Sequence, residues 1–447
     1  MKRLSLILAL LAACGGPSSS TPTPKQPGPV VAPAAPASPS VVKDGSFHSE
    51  SLGVDKAYVV YLPAGYESST ATFPVIYMLH GLGGSEINWR ELGIAAAADA
   101  LALGAIIVMP DGDDGFYSNW VSQVDYDACL ASRRPFGKAD DMRTYCVRTA
   151  NYEDYIVKDL IAHVDATYRT IATREGRAIG GLSMGGYGAT FLGMKHPTLF
   201  SAVASHAGAV SLLYAGPHPY VKGAAVLGED PRQWISQAGD FGKLFERIWG
   251  TDIATWRAND PTTLARTLEP GQLALYLDCG TADEFKLEDA NQYLDEVLTV
   301  AGIPHTFHLI EGGRHNSEFW RSRIDHSLGF LQQHLPRVEL AAPAIARTLT
   351  VGPGDIVELN LAMPAGAAAR AAFTASAPLE WNTHSHPDGK LLTFTQGTDA
   401  TGALSLSAQA AGVYSMMWKN AGATPATLEL RVTLAPGVTV DSWHPAE

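Results

Sequence analysis

Six short apolar runs constrain this chain more than any other feature: Pro74 to His80, Ala105 to Asp111, Arg177 to Ser183, Ser201 to Gly208, Leu273 to Gly280 and His305 to Gly312, set off by Gly or Asp. Runs so short and so nearly continuous suit strands buried on both faces of a parallel sheet. Helical patterns lie between them. The clearest is Tyr152 to Tyr168, where Ile156, Leu160 and Val164 recur every four residues with Val157 and Ile161 alongside. The alternation predicts an α/β domain with a mostly parallel sheet. It begins near Phe47, has an early strand at Tyr58 to Pro63, and closes with a helix near Ser327 to His334 that stops at Pro336. With 46% hydrophobic and 17% charged residues, a disordered, coiled-coil or fibrous chain is excluded.

One motif in this frame carries chemistry. Gly181-Leu182-Ser183-Met184-Gly185 follows the run from Arg177 and precedes a helix-compatible stretch ending at Pro197. This is the G-x-S-x-G elbow in its strand-turn-helix setting: the turn is too sharp for flanking side chains, and it lifts the serine hydroxyl above the sheet. A serine needs a base, and the base an orienting acid, in the chain order Ser, Asp or Glu, His. Asp283 lies just past the run ending at Gly280, with Asp278 and Glu284 as competitors, and His315 lies in a glycine-rich loop after the last run. The oxyanion of an acyl-transfer intermediate also needs two backbone donors. His80-Gly81-Leu82-Gly83-Gly84 ends an earlier strand, and the expected donors are the N–H groups of Leu82 and Met184. His80 itself is read as bracing its loop.

After Leu340 the pattern changes to period two, as in Leu428, Leu430, Val432 and Leu434, with similar runs at Ile356 to Leu361, Leu391 to Thr395, Leu404 to Ala408 and Val413 to Trp418. This predicts a small antiparallel β-sandwich. Trp381, Trp418 and Trp443 could form a sugar platform, but buried aromatics are the expected reading. His384-Ser385-His386 sets two imidazoles on one loop with no third ligand evident in the sequence, so no metal site and no cofactor are expected.

At the other end, Lys2 and Arg3 precede an apolar run from Leu4 to Ala13, a signal sequence too short to span a membrane. Leu11-Ala12-Ala13-Cys14 resembles a bacterial lipobox, which implies cleavage before Cys14 and lipidation of its sulfur. Gly15 stands where inner-membrane retention would favour Asp, so resemblance to Gram-negative lipoproteins implies the outer membrane. From Gly15 to Val42 come eight prolines and one charge, Lys25, the composition of an extended tether. The expected divisions are 1–13 signal, 14–45 lipidated cysteine and tether, 46–336 hydrolase, 341–436 sandwich and 437–447 tail. A net charge of −13 with no basic block argues against nucleic acid as a partner, and leaves the lipid as the means of membrane attachment.

Tyr61-Leu62-Pro63 with Tyr66, Val75 to Gly84, Met109-Pro110-Asp111-Gly112, Tyr152-Glu153-Asp154-Tyr155, Gly181 to Gly188 and Trp256 to Pro261 together resemble the esterase D group of α/β-hydrolases. That group includes feruloyl and acetyl-xylan esterases, S-formylglutathione hydrolases and mycolyltransferase antigens. The resemblance covers roughly residues 46 to 335. It implies an α/β-hydrolase fold with Ser183 as nucleophile, Asp283 as acid and His315 as base, and a pocket near Trp120 and Trp320. Two departures stand out. Arg314 separates His315 from the usual Gly-Gly pair, and Ser317 stands where an aromatic is common. An insertion from about Gln123 to Arg148 follows Trp120 as a candidate lid, and its two cysteines, Cys129 and Cys146, are expected to pair, leaving Cys279 buried.

The sequence therefore predicts an exported, lipid-anchored serine esterase that needs no cofactor. Its expected partner is an ester substrate, with acylated carbohydrate a candidate, and the sandwich could hold a polymer or protein ligand. The rivals are acyl transfer to a sugar or lipid acceptor, and a binding lipoprotein without turnover.

Overall fold

The computed structural model describes residues 38–67, 69–136, 142–338, 344–435 and 437–444. The segments read as signal sequence and as tether, Cys14 included, lie outside the described residues up to residue 37. All six apolar runs are strands. In chain order, β1 is Val41–Ser49, β2 Val54–Leu62, β3 Val75–Leu79, β4 Ile106–Pro110, β5 Arg177–Leu182, β6 Ala202–His206, β7 Ala274–Gly280 and β8 Thr306–Ile310. They form one sheet in the order β1-β2-β4-β3-β5-β6-β7-β8. From β4 to β8 every neighbouring pair is parallel, while β1 and β2 run antiparallel at one edge.

The strands read as continuous apolar runs because both of their faces are covered. Val75, Tyr77 and Leu79 of β3 belong to one core, and Ile76 and Met78 to another on the opposite face. Each large aliphatic side chain so buried contributes about 1.5–3 kcal/mol, enough to fix the register. Among the helices between and after these strands are α1 Met184–Lys195, α2 Leu287–Val300, α3 Ser317–Arg321 and α4 Ile324–Gln333. Nearly every residue of α1 is buried, which explains its lack of a polar face.

The stretch expected to be one helix from Tyr152 is interrupted. Its α-helical ends, Tyr152–Asp154 and Ile161–Thr167, flank a π-helical segment, Tyr155–Leu160. The expected start of the domain also moves. Val41 to Gly45, read as tether, pair with Leu62 to Tyr58 and belong to β1.

Beyond Val338 the described chain is β apart from one 3-10 turn, Pro387–Gly389: β9 Ala344–Val351, β10 Ile356–Met363, β11 Ala368–Ser385, β12 Leu392–Ser407, β13 Gly412–Lys419, β14 Ala426–Leu434 and β15 Thr439–His444. They make one antiparallel sheet in the order β15-β10-β13-β11-β14-β9, with β12 also on β11. The two layers expected of a sandwich are halves of this sheet. The first half of β11 pairs with β14 and its second half with β13, with a register shift against β12 between Thr374 and Leu379. Residues of both halves share one apolar cluster, in which Phe373 meets the buried Trp418. The segment read as a tail contains β15, which pairs along β10 and closes that edge.

Candidate active site

Ser183 follows β5 directly, with φ 53° and ψ −116°. That region is unfavourable for a residue with a side chain and is held only where the surroundings over-determine it. The glycines do so. A Cβ at Gly181 would lie 2.2 Å from the Gly185 carbonyl oxygen, and one at Gly185 would lie 2.2 Å from that of Leu79. The elbow is packed backbone against backbone, and no larger residue fits either position.

The loops after β5, β7 and β8 all leave the carboxyl edge of the sheet, where ligands bind in open α/β folds. They bring Ser183, Asp283 and His315 into hydrogen-bonding line. His315 Nδ1 lies 2.7 Å from Asp283 Oδ2, and His315 Nε2 lies 2.8 Å from Ser183 Oγ. A carboxylate only accepts, so Nδ1 carries the proton and Nε2 accepts from the serine hydroxyl. The other Asp283 oxygen accepts from the Phe285 N–H at 2.9 Å. The Cys279 thiol stands 3.8 Å from Asp283 Oδ2, and burial pushes its pKa far up, keeping it neutral.

The competing acids have other work. Asp278 is wholly buried inside β7, bonded to His206, to the Tyr276 hydroxyl and to Arg323. Glu284 does not reach the imidazole. It accepts from the His315 backbone N–H at 2.8 Å and from Arg314 Nε at 2.6 Å. These bonds, the backbone one first, lower its pKa to about 2. Arg314, the residue that interrupts the Gly-Gly-His pattern, thus joins a clamp on the backbone of the histidine loop.

In-register pairing of Leu79 with Gly181 sets the loop after β3 beside the elbow. Met184 is the first residue of α1, so its N–H has no acceptor within the helix. The loop carrying Leu82 is fixed on both sides. His80 Nε2 accepts from the Gly112 N–H at 2.8 Å and Nδ1 bonds the Gly81 carbonyl, the bracing role expected of it. The Gly83 N–H donates to Asp114 Oδ1 at 2.9 Å, and Arg134 from the insertion bonds both Asp114 and the Gly84 carbonyl. Behind this loop the buried Lys56 ammonium touches Asp111 and Asp113, each at 2.7 Å. Burial disfavours both carboxylates. The Lys56 charge overcomes it at Asp111, whose pKa falls, whereas burial prevails at Asp113 and pushes its pKa up to about 8.

The two expected pocket tryptophans separate. Trp320 packs edge-on to the His315 ring, centroids 5.1 Å apart, as does Phe285 at 4.8 Å. Trp120 lies under the Arg247 guanidinium and lines a cavity of about 390 Å³ whose walls include Asp114, Arg133, Tyr145, Tyr152 and Cys129. The described parts of the insertion carry two short helices, Tyr126–Leu130 and Met142–Tyr145, and Cys129 is disulfide-bonded to Cys146. Sequence reasoning missed Phe285, Arg134, Asp114 and the Glu284–Arg314 clamp. Only the spacing anomaly at Arg314 signalled any of them.

A family model described as "Putative esterase" matches residues 49–331. Esterase Rv1288 of Mycobacterium tuberculosis (strain ATCC 25618 / H37Rv) is 33% identical over 279 residues, covering 60% of this chain and 54% of that protein. Diacylglycerol acyltransferase/mycolyltransferase Ag85A of Mycobacterium leprae (strain TN) is 25% identical over 289 residues, 60% of this chain and 78% of that one. The chain therefore spans about half the length of the first of these relatives. Among solved structures, an S-formylglutathione hydrolase from Agrobacterium tumefaciens covers 66% of this chain and 96% of its own, at 21% identity and a TM-score of 0.49. A ferulic acid esterase covers 66% and 100%, at 23% identity and a TM-score of 0.48.

Proposed function

The chain belongs to the esterase family, and from that premise we propose that it hydrolyses carboxylic esters through an acyl-enzyme at Ser183, with His315 as general base and acid and Asp283 orienting His315. The single observation that carries this reading is the continuous line of bonds from Ser183 Oγ through the imidazole to Asp283. His315 Nε2 takes the hydroxyl proton as Oγ attacks the ester carbonyl, and Asp283 stabilises the imidazolium that forms. The tetrahedral oxyanion faces the N–H groups of Leu82 and Met184. Collapse expels the alcohol, which receives the proton from His315, and water repeats the sequence on the acyl-enzyme.

A second reading, transfer of the acyl group to a sugar or lipid alcohol, is supported by the similarity to a protein named mycolyltransferase. Both readings use the same covalent intermediate and differ in what resolves it. Acylated carbohydrate stays the proposed substrate class. Export and lipidation at Cys14 are likewise proposed, supported by Lys2, Arg3 and the apolar run that ends at that cysteine.

The test is Ser183→Ala, assayed on nitrophenyl, feruloyl and acetylated-sugar esters. Loss of a triad nucleophile costs about a million-fold, so retention of a tenth of the parent rate would sink the assignment. Fluorophosphonate should label the parent and not the variant. Failure to label the parent would favour a binding protein without turnover. An added alcohol that outcompetes water for the acyl group would favour transfer.

A further inference from the structure

In the second sheet, Val357, Leu359 and Leu361 of β10 face the apolar core, so Glu358 and Asn360 face away from it. The neighbouring β13 presents Ser415 and Met417 on that same outer face, in register with Asn360 and Glu358. The next strand, β11, sets His384 opposite Ser415 and Asn382 opposite Met417. Glu358 and His384 therefore stand two strands apart and two positions out of line, a backbone distance of about 12 Å. They meet above the small buried Ser415, whose hydroxyl is turned aside to Asn360 Oδ1 at 2.5 Å. His384 Nε2 ends 3.2 Å from Glu358 Oε1, and its Nδ1 is bonded to Asn382 Oδ1 at 2.7 Å.

His386, just past the end of β11, brings a third donor, and one ligand atom from each of the three residues lies within 4.8 Å of the others. The sequence alone offers this His-x-His pair no third ligand. The fold supplies Glu358 from 26 residues upstream. We propose that Glu358, His384 and His386 form a binding site for a borderline divalent transition-metal ion, Zn²⁺ by the character of its donors.

Two imidazoles and one carboxylate are the donor set that suits Zn²⁺. With metal–ligand bonds of about 2.0–2.1 Å, tetrahedral ligand atoms stand about 3.3 Å apart, close to the 3.2 Å between His384 and Glu358. His386 is exposed and its ring packs edge-on against that of His384, centroids 5.0 Å apart, while His384 is buried and held. Its Nδ1–H donating to an amide oxygen is the outer-sphere bond that fixes a metal-binding imidazole with Nε2 forward. An ion at this point would tie β10 to β11 across β13 and fasten the turn that starts at His386. None of the ligands comes from the hydrolase sheet, so the site is independent of the esterase reading.

The experiment is Zn²⁺ titration of the untagged full chain by calorimetry, with retained metal counted after dialysis. His218, Glu288 and Asp289 form another potential ligand group, so His218→Ala serves as the background. One retained Zn²⁺ per chain is expected, with affinity at least tenfold weaker in both Glu358→Gln and His386→Ala. His386 is exposed, so its loss should leave the fold intact, as a melting curve would verify. Cu²⁺ loaded in place of Zn²⁺ should show electron paramagnetic coupling to two nitrogens, reduced to one in His386→Ala. No saturable binding, retention unchanged by His386→Ala, or a copper spectrum without nitrogen coupling would each overturn the proposal.

Discussion

Asp283 and Glu284 are neighbours in sequence, yet one holds the imidazole of His315 and the other its backbone. Asp283→Asn should keep the loop in place while losing the preferred tautomer, with kcat falling about 10⁴-fold. Normal activity in that variant would move the acid elsewhere. Glu284 gives a pH signature. Its pKa falls on folding from about 4.3 in an unfolded chain to about 2. A depressed carboxylate stabilises the fold fully above the unfolded value and loses that contribution as pH falls toward the folded one. Glu284→Gln should therefore melt below the parent at pH 6, with a smaller gap at pH 3, and a gap independent of pH would refute the clamp. Ser183, Asp283 and His315 were legible because each ends a recognisable strand or follows one at a fixed place. Arg134 and Phe285 were not, because their partners lie in other loops and nothing in local spacing announces such contacts.

The parallel strands could be read because burial on both faces leaves only apolar residues in them. The same reasoning fails for β11, whose inner face near its start is Ala369, Ala371 and Ala375 with Phe373 as its one large residue, too little to contrast with the exposed side. It also split β12 into two shorter runs, since little of that strand's first half is buried. β1 and β15 escaped notice as edge strands with mixed sequence, recognisable only from the partner that each pairs with. The insertion makes the element-scale prediction. Its disulfide spans 17 residues, and such a closure is worth about 3 kcal/mol in the chain-entropy description. Cys129→Ser should speed proteolytic nicking between residues 123 and 148 by at least tenfold, followed by gel and peptide mapping. An unchanged cleavage rate would show that Arg134 and its neighbours hold the insertion without the bridge.

The apolar cluster of the second sheet is composed entirely of its own residues, and those of the hydrolase sheet are likewise its own. A fragment of residues 38–338 should fold and hydrolyse small soluble esters at close to the rate of the full chain. A shortfall confined to large or insoluble substrates would mark the second sheet as the part that gathers them, by raising local concentration. Aggregation, or an equal loss on small esters, would show instead that the two parts need each other to fold. That β8 and β9 belong to different sheets has its mark in the sequence as the change of period. Which strands close the second sheet could not be read there, because pairing across long stretches of chain leaves no mark in local composition.

The chain enters its first sheet through β1, whose leading residue, Val41, is paired with Leu62 at the open end of a hairpin. A pull arriving along the preceding segment meets the bond from the Gly65 N–H to the Ser38 carbonyl, then that pair, and works toward the turn, opening one rung at a time. β1 holds none of the residues that line up at Ser183 and touches only β2 in the sheet. Mechanical load from a membrane or a moving polymer would thus be absorbed by peeling a terminal strand, which can close again, while the elbow after β5 feels no strain. Single-molecule stretching from residue 38 should show this as a small extension at low force, well before the sheet itself gives way.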